Sequence, residues 1–526
     1  MNIPSILNDV IGPVMRGPSS SHSAAAVRIG KIGRELMAGE LKKVTVHFDI
    51  NGSLPTTWLS QGSDMGLAGG LLGFEADDER LVRYKHELQQ ANLDVRTIAG
   101  DFGDVHPNTY NLTLRNNREE HILVAISTGG GMIEVTTIDG LAVSFYGDCH
   151  GLVIFTLGRQ SSLLDLLRKA DCAVFSSDSE DQSLVFASRP TPFDGDLLKK
   201  ITQHQTVRDT RAISPVLPIL TTSETMVPFT TAVEMEIYAT KTGLFDLADL
   251  ALHYEASRGA IEQEEVLSKA LHLVDIIENS IQQGLQGTQY KDRILGFQSG
   301  KYAAKLENNK LLNLGILDRI IPYVTALMEN KSAMGVIVAA PTAGSCGGLP
   351  GAVLAVADTM NLDREAKARG LLAGGVIGAL IATKSTFSAE ICGCQAECGV
   401  SSGMIAAAMV SMMDGDYTSS LSAASMALQN IFGMVCDPVA SRVEVPCLGK
   451  NILAASNGVS CANLALAGFD QVIPFDEVVE AMDKVGRAIP HELRCTTLGG
   501  LSITPTSKKI KKKLQSGQGP DNCPNC

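Results

Sequence analysis

Apolar positions change period repeatedly along the first 190 residues. Between Ala24 and Met37 they recur at the three-to-four spacing of an amphipathic helix, and KKVTVHFDI just after it alternates like a strand. A second helical pattern follows from Asp77 to Ala91, then paired strand patterns over Tyr110 to Leu114 and His121 to Ile126. Residues 1–131 therefore read as an α+β domain. The runs IEVTTI, AVSFYG and LVIFTLG around the helical SSLLDLLRKA, closed by SLVFAS, predict a small α/β module over 132–192. Such a module suits a regulatory, ligand-sensing role, or it simply extends the first domain. From 193 to 504 strand signals fade and helical periodicity takes over. The later helices, GMIAAAMVSMM and SSLSAASMALQNIFGMV among them, are rich in small residues that let helix axes approach closely. The fold class expected is an α+β N-terminal part followed by a large all-α domain. The tail 505–526, PTSKKIKKKLQSGQGPDNCPNC, predicts little intrinsic order.

Composition narrows the class. The chain has 526 residues, 45% hydrophobic and 19% charged, with mean hydropathy +0.11, as in an enzyme with large cores. Its net charge of -13, without a basic face, argues against nucleic acid as a partner. The one basic run, Lys508 to Lys513, reads as a solvated segment. Gly370 to Thr383 is too short to span a bilayer, and the N-terminal residues lack the basic-then-apolar order of a signal peptide, so no membrane partner is expected and the setting is cytoplasmic. In such a setting the twelve cysteines stay reduced and are available to metal. Cys149, Cys172, Cys461 and Cys495 stand singly among apolar residues and read as core positions.

Three motifs in the first part carry candidate chemistry. GPSSSHSA places the hydroxyls of Ser19, Ser20 and Ser21 and the ring of His22 just ahead of a helix, where a carboxylate is favoured. DVHPNTYN sets His106 and Asn108 on either side of a proline, a base and an amide able to point the same way. ISTGGGMIE puts Ser127, Thr128 and three glycines after a strand, suited to close backbone approach to an anion. The helical part adds SAMGVIVAAPTAGSCGG, with Thr342 and Gly344, then ICGCQAECGVSSGM and CDPVASRVEVPC. The local spacing of Cys392, Cys394 and Cys398 matches neither ferredoxin nor zinc-finger patterns.

In that order, GPSSSH, HPN, S-x-GGG, APT-x-G-x-CG, GCQ-x-E, CDPV and VPC closely resemble the iron-sulfur-dependent L-serine dehydratases (L-serine ammonia-lyases) over nearly the whole chain, with a β and an α part fused. The resemblance implies a [4Fe-4S] cluster on Cys394, Cys436 and Cys447, leaving one iron open. A tail cysteine, Cys523 or Cys526, is implied as a removable fourth ligand. One departure stands out: where the family shows a histidine in a GHGTD-like stretch, this chain has SQGSD, with Gln61 at that place. Glutamine hydrogen-bonds but is no base.

The chemistry implied is dehydration of L-serine to pyruvate and ammonia, in amino-acid catabolism that feeds gluconeogenesis. An iron acting as Lewis acid assists loss of hydroxide and a positioned base takes the α-proton. His106 is the first choice for that base, with Asn108 as its orienter and His22 and Gln61 nearby. Ser19 to His22, Ser127 and Thr128 would hold the carboxylate and amino group, and Thr342 and Gly344 would line the cluster side. The partners expected are a small amino-acid substrate and a second copy in a homodimer. The same cluster chemistry on threonine, another β-hydroxy acid or cysteine is the alternative that Gln61 keeps open. An inactive iron-sulfur sensor would not need the two histidine loops, and a pyridoxal-phosphate lyase would need a lysine setting that Lys384 lacks.

Overall fold

The computed structural model describes residues 3–157, 160–179, 182–221 and 225–516. A short strand, β1 (Val14–Arg16), precedes the helix Ala25–Leu36. That helix lays Ala25, Ala26, Ile29, Ile32 and Leu36 on a six-stranded sheet and shares a core with Leu112, Leu114, Leu123 and Ile133. The sheet consists of β2 (Lys43–Asp49), β3 (Asp94–Gly100), β4 (Thr109–Arg115), β5 (Glu120–Gly129), β6 (Met132–Ile138) and β7 (Leu141–Phe145), in the order β3-β2-β4-β5-β6-β7. Only β2 and β3 are parallel; the other neighbours are antiparallel. The helix Ser63–Leu71 crosses Ala25–Leu36 at backbone contact. A Cβ on Gly66 would lie 2.1 Å from the Ser23 carbonyl oxygen and one on Gly70 2.0 Å from that of Val27. This crossing fixes the serine-rich turn over the sheet.

A second, four-stranded antiparallel sheet follows: β8 (His150–Thr156), β9 (Ala173–Asp178), β10 (Ser183–Arg189) and β11 (Val207–Ile213), in the order β11-β8-β10-β9. With the helices Ser161–Lys169 and Gly195–Thr202 packed in a core of its own, it makes a βαββαβ unit of ferredoxin-like strand order. The expected divisions at 131 and 192 do not coincide with sheet edges. The first falls in the β5–β6 hairpin of one sheet, and the second precedes a helix and strand that complete the other. The strand β11, VRDTRAI, sits at an edge with much of its surface exposed, so it carries charge instead of the alternation that reveals a central strand.

After β11 the described residues are helical but for one short strand, β12 (Val336–Val338). The helix Cys398–Met412 is apolar on every side and buried along nearly its whole length, as such a helix must be. It packs against Gly348–Met360, Arg364–Ala382, Tyr417–Gln429 and Cys447–Leu466. The α+β first part and large all-α second part match the class read from the sequence. No described helix is long and apolar enough to cross a membrane.

Two features depart from expectation. The N-terminal segment belongs to the helical half: Ile6, Leu7, Val10 and Ile11 lie in its core, and β1 pairs antiparallel with β12, Val14 opposite Val338. The Glu255 carboxylate holds this segment by accepting the Ser5 hydroxyl and the backbone N–H groups of Ile6 and Leu7. In the tail, Pro505–Gln515 is a helix where little order was expected. Thr504 caps it by accepting the Ser507 N–H, Pro505 suits its first turn, and Ser507 Oγ accepts the Ala440 N–H at 2.9 Å, tying it to the helical half. Cys523 and Cys526 lie outside the described residues.

Candidate functional site

The GCQ turn is built by contacts its own letters require. Gly393 has φ +69°, and a Cβ there would lie 2.8 Å from the Met434 carbonyl oxygen. Gln395 clamps the same segment, its backbone N–H donating to Met434 O at 3.1 Å and its Oε1 accepting from Gly433 N at 2.9 Å, and ties it to the helix Phe475–Ala488 by donating Nε2 to Met482 O at 2.6 Å. Cys394 is thereby set beside Cys436. Cys447 opens the helix Cys447–Leu466, and Asn451 one turn on donates to the carbonyls of Cys447 and Gly344, both at 2.8 Å. Its Oδ1 accepts the N–H groups of Gly347 (3.1 Å) and Gly348 (2.9 Å), capping the helix Gly348–Met360 from another element.

The donor atoms of Cys394, Glu397 and Cys436 lie within 4.8 Å of one another. The ten described cysteines are all free thiols. The neighbouring thiols of Cys398 and then Cys436 hold the Cys394 sulfur well below the usual thiol range, whereas burial pushes Cys447 up. Lys450, one turn past Cys447, donates to the Val435 carbonyl at 2.6 Å and lies 3.4 Å from the Asp437 carboxylate, so it grips both neighbours of Cys436. Burial opposes its charge, yet Cys394, Cys436 and Cys447 together raise its pKa. Glu397 accepts the Thr342 hydroxyl at 2.6 Å, and burial followed by the Cys394 charge pushes its carboxyl up to about 8. A Cβ on Gly344 would lie 2.8 Å from Glu397 Oε1, so the glycine leaves room for that carboxylate.

Cys392 faces Asp483 at 3.8 Å and Cys346 faces the Met328 sulfur, so neither joins the group. Cys398 lies within it, its sulfur 3.9 Å from the Gly344 carbonyl oxygen. Cys495, read from sequence as a core position, contacts Cys436. The backbone of Cys495 is bonded to that of Cys436, Cys495 N to Cys436 O at 3.0 Å, and Cys436 N donates to Leu493 O at 2.8 Å. Cys495 has φ +57°, a left-handed conformation uncommon outside glycine and often held at functional sites.

The strand-rich half faces this group. Gln61 is buried and directs Nε2 at Cys495 Sγ, 3.8 Å away. Ser20 Oγ accepts the Ala343 N–H at 3.1 Å, and Ser21 is buried next to it. These serines form a π-helical turn, Ser20–Ala24, ahead of the α-helix, and Ser19 makes no side-chain cap bond, unlike the N-cap arrangement expected. His22 is fully buried with both ring nitrogens engaged, Nδ1 with Ser19 Oγ at 3.1 Å and Nε2 with Thr57 Oγ1 at 2.9 Å. Thr57 gives its hydroxyl proton to Ser53 O, so the ring proton of His22 belongs on Nε2 and Nδ1 accepts from Ser19. Burial keeps this imidazole neutral, with Glu390 opposing.

His106 is partly buried, which lowers its pKa against Glu390 and Glu134. Its Nδ1 accepts the backbone N–H of Asn108 at 3.2 Å. The Asn108 side chain turns elsewhere, accepting from the Ser53 hydroxyl, and its Nδ2 is buried without a partner. Ser127 is the same case: its N–H donates to Asn108 O at 3.1 Å, but its Oγ is buried and unpartnered. Thr128, half-buried, leads into Gly129, Gly130 and Gly131, all at positive φ. Gly129 abuts the backbone of Ser388 and Gly130 that of Pro341, so the glycine triplet meets the helical half. A cleft of about 1090 Å³ has Ser60 and Gly62 among its walls but none of the cysteines. The donor set therefore marks the site better than the cavity does. Cys495, Lys450 and Glu390 have no motif that would have singled them out; Glu397 lay within GCQ-x-E.

A family model described as serine dehydratase alpha chain matches residues 197–502. The chain is 37% identical over 281 residues, 53% of its length and 94% of the relative's, to the probable L-serine dehydratase alpha chain of Bacillus subtilis (strain 168). It is 38% identical over 146 residues, 28% of its length and 66% of the relative's, to the probable beta chain of the same organism. Against L-serine dehydratase 1 of Escherichia coli (strain K12) it is 26% identical over 498 residues, 93% of this chain and 96% of that one. The thiol-bearing helical half and the strand-rich half that faces it thus match relatives both as separate chains and as one polypeptide, and this chain belongs to the serine dehydratase family, in the single-chain form that joins a beta-like to an alpha-like part.

Proposed function

We propose that this protein is an L-serine ammonia-lyase that converts L-serine to pyruvate and ammonia with a [4Fe-4S] cluster held by Cys394, Cys436 and Cys447. The observation that carries this reading is the gathering of buried free thiols and Glu397 opposite two neutral imidazoles, at the seam between the two halves. The donor set suits a cluster: sulfur ligands, the half-buried Lys450 as counter-charge, and hydrogen bonds that fix the ligand-bearing backbone. When bound, the cluster supplies a Lewis acid for the departing hydroxide.

The chain's own residues supply the rest. Asn108 Nδ2 and Ser127 Oγ, buried and unpartnered, fit the substrate carboxylate. His106 is neutral near pH 7 and takes the α-proton. In the arrangement seen, Nδ1 accepts from Asn108, so the ring proton sits on Nε2. Presenting a basic Nε2 means giving up that one bond, at a cost of about 1 kcal/mol. General-base catalysis, worth about 10²-fold or more, outweighs this. His22 has no such freedom, because its two bonds and full burial commit it to positioning Ser19. Gln61, aimed at Cys495, is a hydrogen-bonding wall. Water is excluded where the glycine turn closes on Ser388 and Pro341. A homodimer in the cytoplasm belongs to the same proposal.

The test is anaerobic purification with iron and sulfide analysis, then release of ammonia and 2-oxo acid from L-serine, L-threonine and L-cysteine. Wild type and C461S are expected to hold equal iron while C447S loses it. Equal iron in all three, or no activity of iron-loaded wild type on serine, overturns the reading.

A further inference from the structure

We propose that Glu390 is the anchor for the α-ammonium group of the amino-acid substrate. This rests on the L-serine reading above and adds a specificity residue to it. A substrate entering as a zwitterion brings a cation as well as a carboxylate, and an ammonium taken out of water without an anionic partner is costly. Some group at the seam has to receive it.

The carboxylates around the site differ in what they already hold. Glu397 accepts from Thr342 with Oε1, and its Oε2 lies 3.9 Å from Cys394 Sγ. Asp437 accepts the Leu501 N–H at 2.9 Å and faces Lys450. Glu444 accepts the backbone N–H groups of Ile294 and Leu295. Glu390 is different. One oxygen, Oε2, accepts the Ser388 hydroxyl at 2.8 Å; the other has no hydrogen-bond partner among the described residues, and the carboxylate makes no ion pair there. The Arg494 guanidinium, close in the fold, donates to the Ile391 carbonyl at 3.2 Å instead of to this carboxylate.

Its position is equally particular. Ser388 lies against Gly129 in the glycine turn, so Glu390 stands just behind the point where the helical half meets the end of β5. Its charge acts on His22, His106 and Tyr110 of the strand-rich half and on Glu397 and Cys495 of the helical half. The strand-rich half offers a buried unpartnered donor, Asn108 Nδ2, and the helical half an unpaired carboxylate. A zwitterion spanning the seam satisfies both.

The variant is Glu390→Gln, which keeps shape and removes charge. Binding of L-serine to the iron-loaded enzyme, its cluster first reduced by dithionite to the paramagnetic [4Fe-4S]+ state, is followed by its effect on the electron paramagnetic resonance signal, and 3-hydroxypropionate, which lacks the amino group, is titrated as a competitor. Serine affinity is expected to fall about 30-fold or more, as when one partner of a desolvated charge pair is removed. The competitor's affinity should change less than about 3-fold, because it never used the carboxylate. Glu390→Asp, which keeps the charge, should recover most of the serine affinity, and it decides the matter if Glu390→Gln does not fold. Unchanged serine binding in Glu390→Gln, or an equal loss for both ligands, overturns the anchor while wild-type turnover leaves the L-serine reading standing. Wild type that neither binds nor turns over serine overturns both.

Discussion

Asn451 is the side chain on which the geometry of the thiol site most depends, and Asn451→Ala measures how much. The residue is fully buried and makes four bonds to backbone, two as donor to Gly344 O and Cys447 O and two as acceptor from Gly347 N and Gly348 N. Truncation leaves two N–H groups at the start of the helix Gly348–Met360 buried and unsatisfied, each at about 1–3 kcal/mol, and two carbonyls short of a donor. All four backbone partners are buried, so the loss should total about 3–5 kcal/mol. That is a large share of the ~5–15 kcal/mol that holds a domain folded. Urea unfolding of the iron-free chain, followed by far-ultraviolet circular dichroism, should show the midpoint fall accordingly, and iron content after anaerobic loading should fall with it. Asn451→Asp separates the two jobs. It keeps the acceptor oxygens at a helix N-terminus, where negative charge is favourable, but it loses both donors. Its stability should therefore lie between wild type and alanine while iron loading stays poor. A midpoint shift for Asn451→Ala worth less than about 1 kcal/mol would refute the argument that this side chain organises the ligand segments.

Replacing His106 with Ala should lower kcat by about 10²-fold or more without changing the cluster's visible absorbance, and near-normal turnover would remove the ring from the mechanism. Because burial lowers the His106 pKa from 6.5, wild-type kcat/KM should hold down to that pH and decline only below it as the ring takes a proton; an acid limb beginning above 6.5 contradicts this. Folding stability should also fall below pH 6.5, since unfolding frees His22 to bind a proton that its buried site refuses; chemical denaturation at pH 7.5 and 5.5 checks it. Gly66→Ala would press a methyl into the Ser23 carbonyl, 2.1 Å away, and should destabilise the strand-rich half by about 1–3 kcal/mol or more in calorimetry.

How much of this was legible in the sequence depended on whether a residue's role was local. The GCQ, CDPV and VPC cysteines stand in motifs whose neighbours do the positioning: Gly393 and Gln395 are adjacent to Cys394, and Lys450 follows Cys447 by one turn. Central strands such as β4 and β5 announced themselves by alternation. The edge strand β11 did not, because the register shift between Val207 and Asp209 and the buried, charged Arg211 break that pattern. The division at 131 failed for a related reason: a hairpin inside a sheet looks, in one dimension, like a gap between domains. Pairings made across the fold left no trace. Nothing near Ser5 points to Glu255, and nothing around Cys495 distinguishes a thiol touching Cys436 from one sunk in a core. Glu390 reads as an ordinary helix-start acid until the glycine turn of the other half is placed against it.

The threading of the chain's opening residues through the helical core has a mechanical consequence. Ile6, Leu7, Val10 and Ile11 each contribute roughly 1.5–3 kcal/mol by burial, and they are joined covalently to the strand-rich half through the serine turn. They act as a peg: a protease cut anywhere between Ile213 and Ala232 would sever the visible link and still leave two fragments locked together. Substrate must then enter by small local yielding at the seam, since the halves cannot swing apart without drawing that peg.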